Sequence, residues 1–356
     1  MDRIRLAHPC FAAATMLFAL PCMAGQAPTY RITDLGALTP PWVEPGTETS
    51  SARAINNGGW VTGITGTSRY PSERAFSWRD GNMLLLEGLP GESFAYGIND
   101  FGWIVGTVGD EIANPYQAFL WYHGSMVRLG EPHPPGEGIY STAYDVNNWG
   151  MVVGADAGRP VLWWLGLEMV LDALPGGLAS GSARAVNDLG QVVGAVDSAN
   201  GVRAVLWEHG EVIDLGDLPG GLSGSIAYDI NLLGQVVGSS YVATGMHAFL
   251  WQRGKMLDLG DLSGGLDFSR ANAINNRTQV VGYGYTADGT SATLWQPGFG
   301  LRDLNELIEP DDPLKPVTVL LEAEDINDRG QIVGSALIDG RQRAFLLTPV
   351  GQTRRH

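Results

Sequence analysis

Short apolar runs, broken by glycine and asparagine, fill almost the whole chain, and the breaks return in register. A glycine seven residues after an asparagine closes "INNGGWVTG" (55–63), "INDFGWIVG" (98–106), "VNNWGMVVG" (146–154), "VNDLGQVVG" (186–194), "INLLGQVVG" (230–238), "INNRTQVVG" (274–282) and "INDRGQIVG" (326–334). The asparagines (Asn56, Asn99, Asn147, Asn187, Asn231, Asn275 and Asn327) follow one another at intervals of 40 to 52 residues. A second run keeps the same period: "RAFSW" (74), "QAFLW" (117), "RPVLW" (159), "RAVLW" (203), "HAFLW" (247), "SATLW" (291) and "RAFLL" (343). A third follows after a short break: "ITDLG" (32), "LLLEG" (84), "MVRLG" (126), "VIDLG" (212), "MLDLG" (256), "LRDLN" (301) and a degraded "MVLDA" (169).

Each run is the length and composition of a short strand, and almost no segment holds a helical period. The "N-x-x-G" break predicts a hairpin in which Asn starts the turn through its side chain and Gly takes the left-handed position. Thr278 occupies that glycine position in one copy, so this turn is expected to be the most strained. "W-x-x-G", as in Trp78-Arg79-Asp80-Gly81, predicts a second tight hairpin. The product is four strands per copy, seven copies in all, which is the arithmetic of a seven-bladed β-propeller. Loop lengths place "A-x-x-I-N" innermost, then "Q-V-V-G", then "A-F-L-W", with "M-x-D-L-G" outermost.

The ends of the chain fit closure. A lone "D-L-G" strand near the start (30–36) and a lone "A-F-L-L" strand near the end (344–347) complete one blade between them, and closure removes exposed edges. The run "HAFLWQRGKMLDLGDLSGG" followed by "ANAIN" and "QVVG" resembles the HAF repeat, a family of bacterial extracellular repeat proteins. The similarity extends from about Tyr30 to Leu347, although only one copy has the literal His-Ala-Phe. The resemblance implies export and a repeat fold; it brings no catalytic residue to carry over. Tryptophan at the end of the third strand is also similar to WD40 propellers, but the Gly-His and Trp-Asp dipeptides are missing.

Two arginines, the apolar run "FAAATMLFAL" and the small residues of "PCMAGQA" order residues 1–24 as a secretory signal peptide, with cleavage expected after Ala24. That leaves residues 25–356 as one propeller domain, secreted or periplasmic, with no transmembrane segment. Cys10 and Cys22 both fall in the leader, so no disulfide, thiolate site or cysteine nucleophile is expected in the mature domain. Removing Asp2, Arg3 and Arg5 takes the formal charge from -16 to -17. An acidic surface of this kind argues against nucleic acid as a partner.

No nucleophile elbow, zinc-binding helix, phosphate loop or calcium loop appears in the chain, and no cofactor or metal is expected. The copies serve as controls on one another. His247 aligns with Arg74, Gln117, Arg159, Arg203, Ser291 and Arg343, which reads as a solvated strand-start position. His123 and His209 fall in the "W-x-x-G" turn. The recurrent tryptophans read as packing between blades, and the seven asparagines as turn formers. Diversity is concentrated three residues before each asparagine, at Arg53, Tyr96, Tyr144, Arg184, Tyr228, Asn272 and Glu324. These seven are expected to ring one mouth of the central channel and to bind an extracellular ligand, a carbohydrate or a peptide. Asp145, Asp229 and Asp325, one residue later, read as structural hydrogen bonders. The long joining segments 39–50, 131–141 and 305–322 are expected to add a recognition surface on the same face. The function that follows is a binding or interaction module. The alternative is a hydrolase or lyase acting on extracellular polysaccharide through Glu324, Asp325 and Arg184.

Overall fold

Period-two strands with tight turns need neighbours on both sides to hide their edges, and here they find them in a closed ring. A computed structural model of the chain describes residues 28–38, 47–67, 73–110, 114–131 and 140–351. The amino-terminal segment with its expected cleavage point lies outside the described residues, as do most of the long joins 39–50 and 131–141. The strands form seven four-stranded antiparallel sheets. Blades 1 to 6 occupy residues 48–85, 92–128, 141–170, 181–214, 225–258 and 269–303. Blade 7 is composite: Thr318–Ile326, Ile332–Ile338 and Arg341–Pro349 are joined on the outside by Tyr30–Asp34. The closing register pairs Ile32 with Leu347 and Tyr30 with Pro349. The expected strand order is therefore observed in every blade, and the inner strands pack side by side around the ring, the last against the first.

Apolar residues fill the space between sheets rather than the axis. Val61, Phe76 and Trp78 of blade 1 share a buried cluster with Val333, Ala344 and Leu346 of blade 7. Phe119, Phe249 and Phe345 occupy the equivalent pentad position and are fully buried. Burying an aromatic or large aliphatic side chain contributes about 1.5–3 kcal/mol. The ring is thus held by many equal seams.

The glycine that closes "V-V-G" has a steric reason. Every inner strand carries a bulge at the residue after its conserved alanine, as between Ala143 and Asp145. A bulge bends its strand and increases the local twist. A Cβ on Gly154 would lie 1.9 Å from the Thr142 carbonyl oxygen, and one on Gly334 1.9 Å from that of Glu322. Thr278 takes the left-handed conformation with φ 61°, as expected, and its hydroxyl donates to Gln235 Oε1 at 2.9 Å.

The join 305–322 differs from its expected role as a recognition loop. Leu304, Leu307 and Ile308 pack into the core beside Tyr30 and Leu320. The Glu309 amide donates to the Tyr30 carbonyl, Asp312 accepts from the Ile32 amide, and Asp311 pairs with Arg31 at 3.0 Å. This segment clamps the closing strand from outside.

Candidate functional site

The bulge that demands the glycine also turns one side chain per blade out of the alternation. Those seven residues are Arg53, Tyr96, Tyr144, Arg184, Tyr228, Asn272 and Glu324, each at the register shift of its inner strand. They lie within the strands, nearer the asparagine turns than the joining loops. Tyr144, for example, is the fourth residue of Ser141–Val146. The ring therefore sits inside the channel and not at the mouth where the long joins enter, because the bulge falls mid-strand.

Neighbours in this ring touch. Arg53 pairs with Glu324, whose other oxygen lies 3.5 Å from Asn272 Nδ2. Tyr96 and Tyr144 stack with ring centroids 5.8 Å apart, and the Arg184 guanidinium lies 4.3 Å above the Tyr144 ring. Tyr228 is covered instead by Arg270, 3.8 Å from its centroid. The ring is divided: blades 2 to 4 contribute an aromatic and cationic stack, blades 6, 7 and 1 a polar sector. In that polar sector Arg53 Nε, Arg270 Nε and Asn272 Oδ1 are buried without a hydrogen-bond partner. Burial pushes the Glu324 carboxyl up, against the pull of the Arg53 charge.

One residue on, three carboxylates brace alternate seams. Asp145 accepts from the amides of Val146 and Val186, Asp229 from Ile230 and Ile274, and Asp325 from Ile326 and Ile55. In each case the second amide belongs to the next blade. Their neighbours in the other copies are Ala54, Gly97, Ala185 and Ala273. Burial pushes Asp145 up to about 6, Asp229 to about 7 and Asp325 to about 8, opposed by the backbone bonds. Mutual repulsion adds to the last two. Both oxygens of Asp325 are committed to backbone amides, and Glu324 is committed to Arg53. The acid–base roles considered for this pair need a carboxyl aimed at a substrate, and the geometry does not favour them.

The asparagines do more than form turns. Each Oδ1 accepts from amides of its own turn, as Asn147 does from Trp149 and Met151. Each Nδ2 then donates to the carbonyl of the next blade's asparagine, from Asn56 to Asn99 onward and finally from Asn327 back to Asn56, at 2.9–3.1 Å. Beside this ring opens a shallow bowl of about 260 Å³ at the channel mouth, rimmed by Asn57, Asp100, Asn148, Asp188, Asn276 and Asp328. Sequence reasoning passed over this rim. Its signal was the "N-N" or "N-D" dipeptide present in six of the seven copies.

His247 is not a solvated residue. Its Nδ1 lies 2.9 Å from Asp258 and its Nε2 2.7 Å from Asp267, and ligand atoms of His247, Asp261 and Asp267 come within 4.8 Å of one another. Burial works against the imidazolium, yet the hydrogen bonds and charges of Asp258 and Asp267 outweigh it and raise His247 above the ordinary histidine value. Arg203 fills the same place in blade 4, paired with Asp214 and Asp217. The cradle is one for a side-chain cation. His123 and His209 have positive φ in their hairpin turns, which accounts for them without a shared site. The tryptophans pack as expected, and Trp121 and Trp207 also donate to carbonyls of the preceding blade, Glu87 and Asp172.

Three solved structures align with most of this chain. The WD40 β-propeller domain of Doa1 aligns over 91% of this chain and 98% of its own, at 13% identity and a TM-score of 0.48. TolB from Acinetobacter baumannii aligns over 82% of this chain and 80% of its own, at 13% identity and a TM-score of 0.41. An acylaminoacyl peptidase from Pyrococcus horikoshii covers 83% of this chain with 52% of its own length, at 12% identity and a TM-score of 0.45. At such identities the likeness concerns the fold alone. No protein-family model matches the chain, and no curated protein matches it. Among the described residues no helix is long and apolar enough to cross a membrane. The chain is a seven-bladed β-propeller of four-stranded antiparallel sheets.

Proposed function

We propose that this propeller is an exported binding module of the HAF-repeat kind, secreted or periplasmic, whose carbohydrate or peptide ligand enters the central channel. The observation that carries the reading is the polar sector of the bulge ring. There, Arg53 Nε and Asn272 Oδ1 are buried without partners, as is Nε of Arg270, two residues before the bulge in blade 6. A buried polar atom left unpaired costs about 1–3 kcal/mol. A ligand offering both an acceptor and a donor relieves that cost once these side chains turn towards it, and peptide bonds and sugar hydroxyls both offer the pair. The scaffold supports this use, since the Asn ring and the Asp braces fix the seven positions to the backbone.

Glycan and peptide arrays screened with the mature protein test the reading. Binding is expected to fall about tenfold or more when Arg184, Tyr228 and Asn272 are together replaced by alanine. Unchanged affinity for every detected ligand would remove the channel from the account.

A further inference from the structure

Between blades 2 and 3, away from the axis, lies a cleft of about 720 Å³. That is within the ~300–1,000 Å³ of ordinary ligand pockets. Five aromatic side chains line it: Trp103, Tyr122, Trp149, Trp163 and Trp164. Trp149 is 70% exposed, yet its indole N–H donates to the Asp188 carbonyl at 3.0 Å, so its face is fixed while open to solvent. Trp103 rests against Tyr122 with centroids 5.7 Å apart. Large aromatic faces held in place without being covered are stacking platforms.

The sister blades show what is unusual here. Glu168 lies opposite Trp163 in the strand register, where the other blades place Ile32, Met83, Met126, Val212, Met256 and Leu301. Asp156 stands two residues after its "V-V-G", where the others have Thr65, Val108, Val196, Ser240, Gly284 and Ala336. Two acids have thus replaced uncharged residues in one blade. Glu168 accepts from the Trp163 indole at 2.9 Å, and the buried Asp156 lies near enough for its charge to act on Glu168. Burial, then the neighbouring acid, raises the Glu168 carboxyl. A packed repeat that gives up an apolar contact for a pair of acids breaks its own pattern, and such breaks concentrate at functional positions.

We infer that this cleft binds a neutral oligosaccharide, its sugar rings lying on Trp149 and Trp103 and its hydroxyls bonded by the Glu168 carboxyl. The chemistry of the lining selects this class. Arg128 and Arg159 share the cleft with Glu131, Asp156 and Glu168, so both signs of charge line it and neither a strongly anionic nor a strongly cationic ligand meets one sign alone. Carboxyls present paired acceptors to vicinal hydroxyls, and indole faces cover the apolar faces of the sugar ring.

This site is separate from the channel and does not rest on it. The test uses the mature protein, with cello-, malto-, xylo- and manno-hexaose titrated against tryptophan fluorescence and by calorimetry. At least one is expected to bind saturably with a change in fluorescence. Trp149→Ala and Glu168→Met are each expected to weaken that binding about tenfold or more. Glu168→Met restores the residue used in blades 1, 2 and 5, so its melting temperature is expected to be unchanged or higher. Equal affinity in both variants would overturn the inference, as would binding of none of the four sugars. It would be overturned equally if the hexaose were lost only in the channel variants, or if Trp149→Ala abolished binding of a protein partner and of no sugar.

Discussion

Two neighbouring residues at each asparagine turn build two rings, and only one of the rings is complete. The asparagine amide reaches the next blade's asparagine carbonyl at all seven seams. One residue on, each backbone amide reaches the next blade's side-chain oxygen: Asn57 to Asp100, Asp100 to Asn148, Asn148 to Asp188, then Leu232 to Asn276, Asn276 to Asp328 and Asp328 to Asn57. The link from Asp188 fails because Leu232 has no acceptor. Asn231 is buried, whereas Leu232 is 43% exposed. Water replaces a lost partner at the exposed rim and cannot at the buried ring. The buried ring therefore tolerates no exception across seven copies, and the rim does.

The largest effect should come from breaking the buried ring. Asn231→Ala removes the bond to the Asn275 carbonyl and orphans the amides of Leu233 and Gln235. At about 1 kcal/mol for each bond, a loss of about 3 kcal/mol is expected in urea unfolding. Asp188→Ala, on the rim, should cost less than about 1 kcal/mol. Equal losses in the two variants would contradict the argument from solvent access.

The Asp braces sharpen the contrast through pH. Free aspartate releases its proton near pH ~4, whereas in the fold Asp325 holds it to about 8, Asp229 to about 7 and Asp145 to about 6. Between these values the folded state binds more protons than the unfolded one. Stability therefore falls as pH rises through that window and levels off above it. Asp325→Asn should flatten the decline by up to about 1.4 kcal/mol per pH unit, since it removes one proton from the difference. Denaturation curves between about pH 5 and pH 7 provide the measurement, and an unaltered slope would mean that Asp325 is ionised in the fold.

Much of this architecture is local and so was open to reading. Strand length, turn chemistry and the split closing blade all follow from residues within a few positions of each other, from Asn147 to Gly154 or from Trp78 to Gly81. The seven bulge residues were found by the same route, as a column that varies. What stayed hidden joins residues about one repeat apart. The Asn147 amide bonds to Asn187, and Asp145 reaches Val186. Nothing in one copy announces a partner in the next. His247 is hidden for a different reason: its column shows a cation only together with the carboxylates eleven and fourteen residues later, Asp258 and Asp261, which match Asp214 and Asp217 opposite Arg203. Glu168 is masked because the degraded "D-L-G" of blade 3 is out of step with its "W-x-x-G" turn. Aligned on Trp163, it is the one acid in a column of methionine, leucine, isoleucine and valine.

The smallest expected effect is a gain. In Leu232→Asn, the new carboxamide oxygen takes the position that Asn148 and Asn276 hold in their blades, within reach of the Asp188 amide. The Leu232 amide already donates to Asn276 Oδ1 at 2.8 Å, so the turn needs no change in backbone. Leu232 is part of no buried cluster, and replacing an exposed leucine loses little apolar burial. One added hydrogen bond at the rim contributes about 0.5–1.5 kcal/mol at most, and competition with water puts the expected gain near the lower end. A rise in the urea midpoint, with the slope of the transition unchanged, would show seven links at the rim. A fall would mean that Leu232 contributes more by packing than its exposure allows, and that the rim was left open in blade 5 for a reason other than indifference.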